Sequence, residues 1–381
     1  MKLIYPDINM KFYNISNEKY FVEVKWTRNL FEDYKKLAIN FYRSGILIFE
    51  EIIKDDNNYI RTDTWFLTCI FLLRQSIELA LKSIIIRENI KKKNIIQDEF
   101  LKDKHCVDML FNFCKDKEKY LEPEEIMWIK AYLIDLNKID SKSDIFRYPF
   151  PNDFMEKYGD MFLNNRDIIK NMNQAYQIIM KYIDYGIQDP EYKFSSKLKP
   201  EFLIEAQHGI GNCAIYQSKS DKGFYSKING YSETAEFILK NEEITNEEKT
   251  YPLLFALRNT IELSLKRIIN KQSGFLIDRK KFFRIRNSHK LKKDLWKNIY
   301  PILEEEAIRR LWDRKDLDIV NSMISCIDNL DNNGDMFRYP TSYSLEYRFD
   351  ERELDLLNVF EYMVAIITFL DGCDSMLDNE Y

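Results

Sequence analysis

The chain has 381 residues and a formal charge of −5, and its ten glycines and nine prolines are about 5 % of the residues against about 12 % in average usage. That scarcity excludes collagen-like, disordered and turn-rich β readings, while 45 % hydrophobic and 14 % aromatic residues supply a core, so a mostly helical protein of two or three domains is expected. The acidic balance excludes a globally basic nucleic-acid binder, and any such partner has to meet a local patch. In chain order, residues 11–26 alternate apolar and polar side chains with β-branched and aromatic members, which predicts a small hairpin within an N-terminal arm, residues 1–28. Helices are predicted over 31–54, from about Thr64 to Asn89, over 123–139 and over 166–185. The polar, proline-bearing stretch 186–200 reads as a linker. Beyond it a helix is expected to open at Pro252, carry Leu254, Leu257, Ile261, Leu265 and Ile268 on one face, and stop at Gly274. Further helices are predicted over 302–330 and 352–370. The longest apolar stretch, Trp65–Leu73, is too short for the ~20 residues of a membrane span. The N-terminus lacks the apolar segment of a signal peptide, and six cysteines show no paired spacing. A cytoplasmic protein with free thiols, no membrane contact, no metal and no cofactor is the expectation.

The chain repeats itself. WFLTCIFLLRQSIELALKSII (65–85) and YPLLFALRNTIELSLKRII (251–269) share an Arg-x-x-Ile-Glu-Leu-x-Leu-Lys core, so Arg74, Glu78 and Lys82 correspond to Arg258, Glu262 and Lys266 at an offset of 184. His105 and His289 keep the same offset. SDIFRYP (143–149) and GDMFRYP (334–340) match at an offset of 191, which implies seven extra residues in the second copy. Repeat one is placed at 29–186, the linker at 187–204 and repeat two at 205–381.

The repeated polar residues are the candidates for function. Arg74, Glu78 and Lys82, like Arg258, Glu262 and Lys266, step by four and form a line along one helix face. As a solvated ladder each pair is worth only about 0.2–0.5 kcal/mol, too little to explain identical spacing in two otherwise divergent copies, so a buried, interfacial or binding role is the alternative. His105 and His289 are suited to proton transfer near neutral pH, or they cap the helix that follows. Arg147 and Arg338, each two residues before a proline, are expected to project from a loop, where a guanidinium suits phosphate or carboxylate. From Arg279 to Lys297 repeat two carries nine Lys or Arg, among them Arg284 and Arg286, against the single acid Asp294. The window 184 residues earlier has a net charge of −2. Phe282, Phe283 and Trp296 lie among these cations as candidate stacking groups for RNA. A solvated charge run, or a face for a protein partner, is the other reading of this segment.

A long helix reading Arg-x-x-Ile-Glu-Leu-x-Leu-Lys, followed by a His-x-aliphatic helix start, resembles the HEPN superfamily of small helical bundles. That resemblance implies an all-α fold, with two tandem HEPN-like bundles forming a pseudo-dimer beside the small N-terminal β-hairpin arm. It also implies a metal-independent endoribonuclease of a prokaryotic defence or toxin system, or else a non-catalytic scaffold that binds RNA, a nucleotide or a protein. The family's Arg followed after four to six residues by His is matched by Arg284 and His289, whereas Phe100 holds the equivalent place before His105. The residues implied for catalysis are therefore His289, His105, Arg284, Arg338 and Arg147.

Overall fold

The computed structural model describes residues 3–55, 58–103, 105–207, 212–217, 223–271, 284–285 and 287–378. Twelve α-helices and four short strands occur among them, in agreement with the all-α expectation. In chain order they are β1 (Phe21–Val24), α1 (Leu30–Lys54), α2 (Tyr59–Asn89), α3 (Lys93–Asp103), α4 (Val107–Phe113), α5 (Pro123–Asp140) and α6 (Asn152–Tyr158). There follow β2 (Phe162–Leu163), α7 (Asn165–Ile183), β3 (Cys213–Ala214), α8 (Phe224–Lys240) and α9 (Asn246–Lys271). A π-helical turn, Leu291–Trp296, then leads into α10 (Lys297–Arg309), α11 (Lys315–Leu330), β4 (Arg352–Asp355) and α12 (Leu356–Asp378).

The chain divides into two compact units that exchange segments relative to the sequence repeats. The repeat-one unit comprises Trp26–Ser226 together with Tyr339–Arg348, a piece of the second repeat's sequence. Its axis is α2, in which every residue from Thr64 to Ile86 is buried, so that stretch has no solvent face. Helix α1 starts at Asn29, whose side chain caps the Phe31 amide, and packs on α2 so closely at Gly45 that a Cβ there would lie 2.8 Å from Leu73. Helix α5 begins with Pro123 in the first turn and a reciprocal Glu122/Glu125 capping box. The supposed linker is tied down. Asn171 donates to the carbonyls of Lys199 (2.7 Å) and Glu201 (2.8 Å), Trp128 to that of Leu198 (2.6 Å), and the Phe202 amide to Asp135 (2.9 Å). Past it, β3 pairs with β2, so this unit runs beyond residue 204. The borrowed segment is held by Tyr347 Oη on Asp33 (2.6 Å), the Tyr34–Thr341 hydroxyl pair (3.0 Å) and Trp26 Nε1 on the Arg348 carbonyl (2.9 Å).

The repeat-two unit comprises the residues through Lys25, Lys227–Arg338 and the chain from Phe349 onward. Its axis is α9, buried without a break from Lys249 to Asn270. Thr245 and Glu248 cap its start reciprocally (Thr245 N to Glu248, 2.8 Å; Glu248 N to Thr245 Oγ1, 3.3 Å). Pro252 consequently sits in the second turn rather than opening the helix. The expected stop, Gly274, lies outside the described residues. No hairpin forms at 11–26. Instead β1 pairs antiparallel with β4, Val22 opposite Leu354 and Phe21 opposite Asp355, a partner more than 300 residues away. The expected helix at 302–330 is broken at Leu311, whose φ of 56° lies in the left-handed region, and the one at 352–370 begins as β4. Helix α12 is long and apolar enough to cross a membrane by length and composition, although charged residues interrupt its apolar run, and most of it is buried, packed against α9 and α11.

Candidate functional site

Helices α2 and α9 carry the same construction. Steps of four set Arg74, Glu78 and Lys82 one above another on α2, and the burial of α2 on all sides takes them out of water: Arg74 and Glu78 are 0 % exposed, Lys82 2 %. The Glu78 carboxylate accepts hydrogen bonds from Arg74 Nη1, Lys82 Nζ (2.8 Å) and Tyr339 Oη (2.6 Å), and His105 Nδ1 lies 3.0 Å away. Arg74 reaches past the glutamate: its Nη2 donates to the His105 carbonyl (2.6 Å), and its Nε forms an ion pair with Asp140 Oδ2 (3.3 Å). The other Asp140 oxygen accepts from the amides of Asp144 (2.9 Å) and Ile145 (3.2 Å), at the head of the SDIFRYP loop. The Lys82 ammonium also stands 4.3 Å from the centre of the Tyr339 ring.

In repeat two Glu262 receives Arg258 Nη1 (2.7 Å), Lys266 Nζ (2.7 Å) and His289 Nδ1 (2.9 Å). Arg258 Nη2 donates to the His289 carbonyl (2.6 Å), and Nε pairs with Asp331 (3.4 Å). Asp331 in turn accepts from the amides of Gly334, Asp335 and Met336 (2.8–3.2 Å). Each histidine is thus held twice, by its carbonyl on the arginine and by its ring on the glutamate, immediately before α4 in repeat one and before the π-helical turn in repeat two.

Burial alone would push both glutamates toward the neutral acid. At Glu78 the charges of Lys82, His105 and Arg74 outweigh it, and at Glu262 those of Lys266, His289 and Arg258 do, so both carboxyls lie well below the usual range and are ionised. An ionised carboxylate accepts only, which assigns the proton of a neutral imidazole to Nδ1 and leaves Nε2 as its basic nitrogen. That arrangement, a ring oriented by a carboxylate, is the one a general base requires. The two rings differ in access: the His105 side chain is 18 % exposed and that of His289 42 %.

The ladder residues are core groups rather than a solvated face. Arg147 and Arg338 follow α5 and α11 in loops as expected, but they do not project from them, being 6 % and 3 % exposed. Arg147 lies over the rings of Tyr148 (4.9 Å) and Phe71 (5.9 Å), because the FRYP phenylalanines, Phe146 and Phe337, are themselves buried and draw the loops inward. Arg284 is exposed. Arg286, Phe282 and Phe283 lie outside the described residues. Trp296 is no stacking platform, since it is 1 % exposed and donates through Nε1 to Asn321 (3.0 Å). Lys292, Lys293 and Lys297 are exposed, and Lys290 is half-buried. Four participants were missed in the sequence: Asp140, Asp331, Gly334 and Tyr339. The offset of 191 already aligned Asp140 with Asp331 six residues before each FRYP phenylalanine, which was the available signal. Among the described residues no group of three or more His, Cys, Asp or Glu is placed to hold a metal ion. No family model, curated protein or solved structure matches this chain.

Proposed function

We propose that the protein is a HEPN-like RNA-processing protein, a metal-independent endoribonuclease of the prokaryotic defence or toxin kind, working on RNA in the cytoplasm. The observation that carries the reading is the glutamate-oriented histidine, built twice by the same four residues. In this reaction the histidine Nε2 removes the proton from a ribose 2′-hydroxyl, and the 2′ oxygen attacks the adjacent phosphorus. The 5′ oxygen of the next nucleotide leaves with a proton from solvent water, giving a 2′,3′-cyclic phosphate and a 5′-hydroxyl end, and the imidazolium returns its proton to the solvent. Exposed cations of repeat two, with Arg284 foremost, hold the phosphates. The buried Arg147 and Arg338 order the loops behind the site instead of meeting the phosphate. In this reading the tandem repeats stand in for the dimer that single-copy HEPN chains form. End-labelled RNA incubated with pure protein in excess EDTA should yield cyclic-phosphate ends, and unchanged RNA would refute the enzymatic reading.

A second reading, a non-catalytic scaffold for RNA, a nucleotide or a protein partner, is favoured by one observation: the ladder cations Arg74, Lys82, Arg258 and Lys266 are engaged with carboxylates inside the core. Retention of intact RNA on the protein in the same experiment would select it.

A further inference from the structure

The two histidine sites are built alike but present different surroundings. The side chain exposure of His289 is more than twice that of His105. Tyr339 stands against the His105 ring, its Oη 3.1 Å from Nδ1, and the loop before FRYP differs between the two sites. Gly334, with φ +74°, lies so close to the site that a Cβ on it would stand 3.3 Å from Arg258 Nη2, 3.4 Å from His289 Cβ and 3.5 Å from Glu262 Oε2. The equivalent residue of repeat one is Ser143, at φ 58° and fully buried, so a side chain is present there where repeat two has none. Charge separates the sites as well. Around His289 the sequence places exposed Arg284, Lys292 and Lys293 and half-buried Lys290. The positions 184 residues earlier are buried Phe100, then Cys106, Asp108 and Met109. A polyanion is attracted to the first setting and repelled by the carboxylate in the second.

We infer that the sites are unequal: His289 is the catalytic histidine and meets single-stranded RNA beside Gly334, while the His105 site keeps the construction as a structural twin. This rests on the ribonuclease reading for its chemistry, but its geometry is testable without turnover. The wild-type protein is treated with diethyl pyrocarbonate, with and without a single-stranded oligodeoxynucleotide that lacks the 2′-hydroxyl and so cannot be cleaved, and modification of each histidine is followed by mass spectrometry. The oligonucleotide should slow modification of His289 at least fivefold and that of His105 less than twofold. Equal protection of the two, or protection of neither, overturns the inference. In the EDTA cleavage assay His289→Asn should lower the rate at least 100-fold, in the range of a lost general base, and further than His105→Asn does. Gly334→Ser, which transplants the repeat-one residue, should lower it about tenfold, whereas Ser143→Gly should leave it within twofold. A larger loss from His105→Asn than from His289→Asn overturns the assignment. Protection of His289 without any cleavage by the wild type refutes the ribonuclease reading and leaves the unequal binding faces standing.

Discussion

Replacing Glu78 by glutamine removes one charge and almost no volume, which makes it the sharpest probe of the buried cluster. In the wild type the carboxylate is approached by Arg74, Lys82, Tyr339 and His105, and the two permanent cations among them are 0 % and 2 % exposed. After the substitution Asp140 still faces Arg74 at 3.3 Å, but the anion between Arg74 and Lys82 is gone. Breaking a buried pair from one side costs about 3–5 kcal/mol, against about 0.3–0.5 kcal/mol for an exposed pair one helical turn apart. Glu236, 20 % exposed and paired at 2.7 Å with the exposed Lys240 on α8, is the control. For a unit of roughly 200 residues, in which each kcal/mol moves the melting temperature by about 2–4 °C, Glu78→Gln should lower it by roughly 6–20 °C and Glu236→Gln by less than about 2 °C. Urea titration followed by circular dichroism supplies the free energy directly. A Glu78→Gln shift no larger than that of Glu236→Gln would refute the argument that the charge is needed in the core.

The pH dependence follows from the same two glutamates. Both have folded-state pKa values below their ordinary ones, so the stability they contribute is complete above about pH 4.5 and is lost as pH falls toward the folded values, by up to about 1.4 kcal/mol per pH unit for each. Urea midpoints measured from pH 6 to pH 3 should fall less steeply in Glu262→Gln than in the wild type. Tyr339→Phe removes a hydroxyl that donates to the Glu78 carboxylate at 2.6 Å and should destabilise by about 1.5–3 kcal/mol, the range for hydrogen bonds to charged groups, as read by urea titration. Asp355 accepts from the amides of Ser16 (3.0 Å), Asn17 (2.8 Å) and Leu357 (3.0 Å), so Asp355→Ala should raise amide hydrogen exchange through β1 and the residues before it. Replacing Arg258, Glu262 and Lys266 together by methionine, leucine and methionine, with Asp331→Asn so that no partner of Arg258 is left charged, should keep stability within about 4 kcal/mol of the wild type, since apolar replacement of a whole buried ion group is often neutral, yet should shift the His289 ring resonances.

How much of this could be read from the sequence depended on whether the deciding contact was local. Helices α1, α5 and α7 appeared at nearly their true bounds because their apolar faces recur at helical spacing and their starts carry the caps Asn29, Glu122 (followed by Pro123) and Asn164. Strand β1 was recognised as extended but given a neighbouring partner, because alternation reports a strand and says nothing of a partner at Arg352–Asp355. The left-handed turn at Leu311 carries no glycine or asparagine to mark it, so one predicted helix became two. The internal repeat marks Glu78, Glu262 and both histidines, but the burial of the central stretches of α2 and α9 on every side leaves no mark in the repeated residues. Whether a charged residue on a helix is solvated or enclosed is decided by what packs against that face, and for α2 part of the answer is Tyr339, which lies in the second repeat's sequence.

Stability alone does not account for the cluster being present twice. A buried ion group roughly breaks even against apolar residues of the same volume, so two central helices could be packed as firmly with leucine and methionine. What leucine cannot do is hold a histidine by both its carbonyl and its ring, and here every member of the chain of contacts ends on that task. The aspartate before FRYP orders the loop and pairs with the arginine. The arginine reaches the histidine carbonyl, the glutamate takes the ring nitrogen, and the lysine helps keep the glutamate ionised. Taking away the glutamate leaves the lysine ammonium in the core without its carboxylate, and taking away the arginine leaves the aspartate without its cation, whereas taking away the histidine leaves the Arg–Glu–Lys row of α2 or α9 intact. The cluster is therefore better explained by the orientation it gives His105 and His289 than by the energy it adds to the fold.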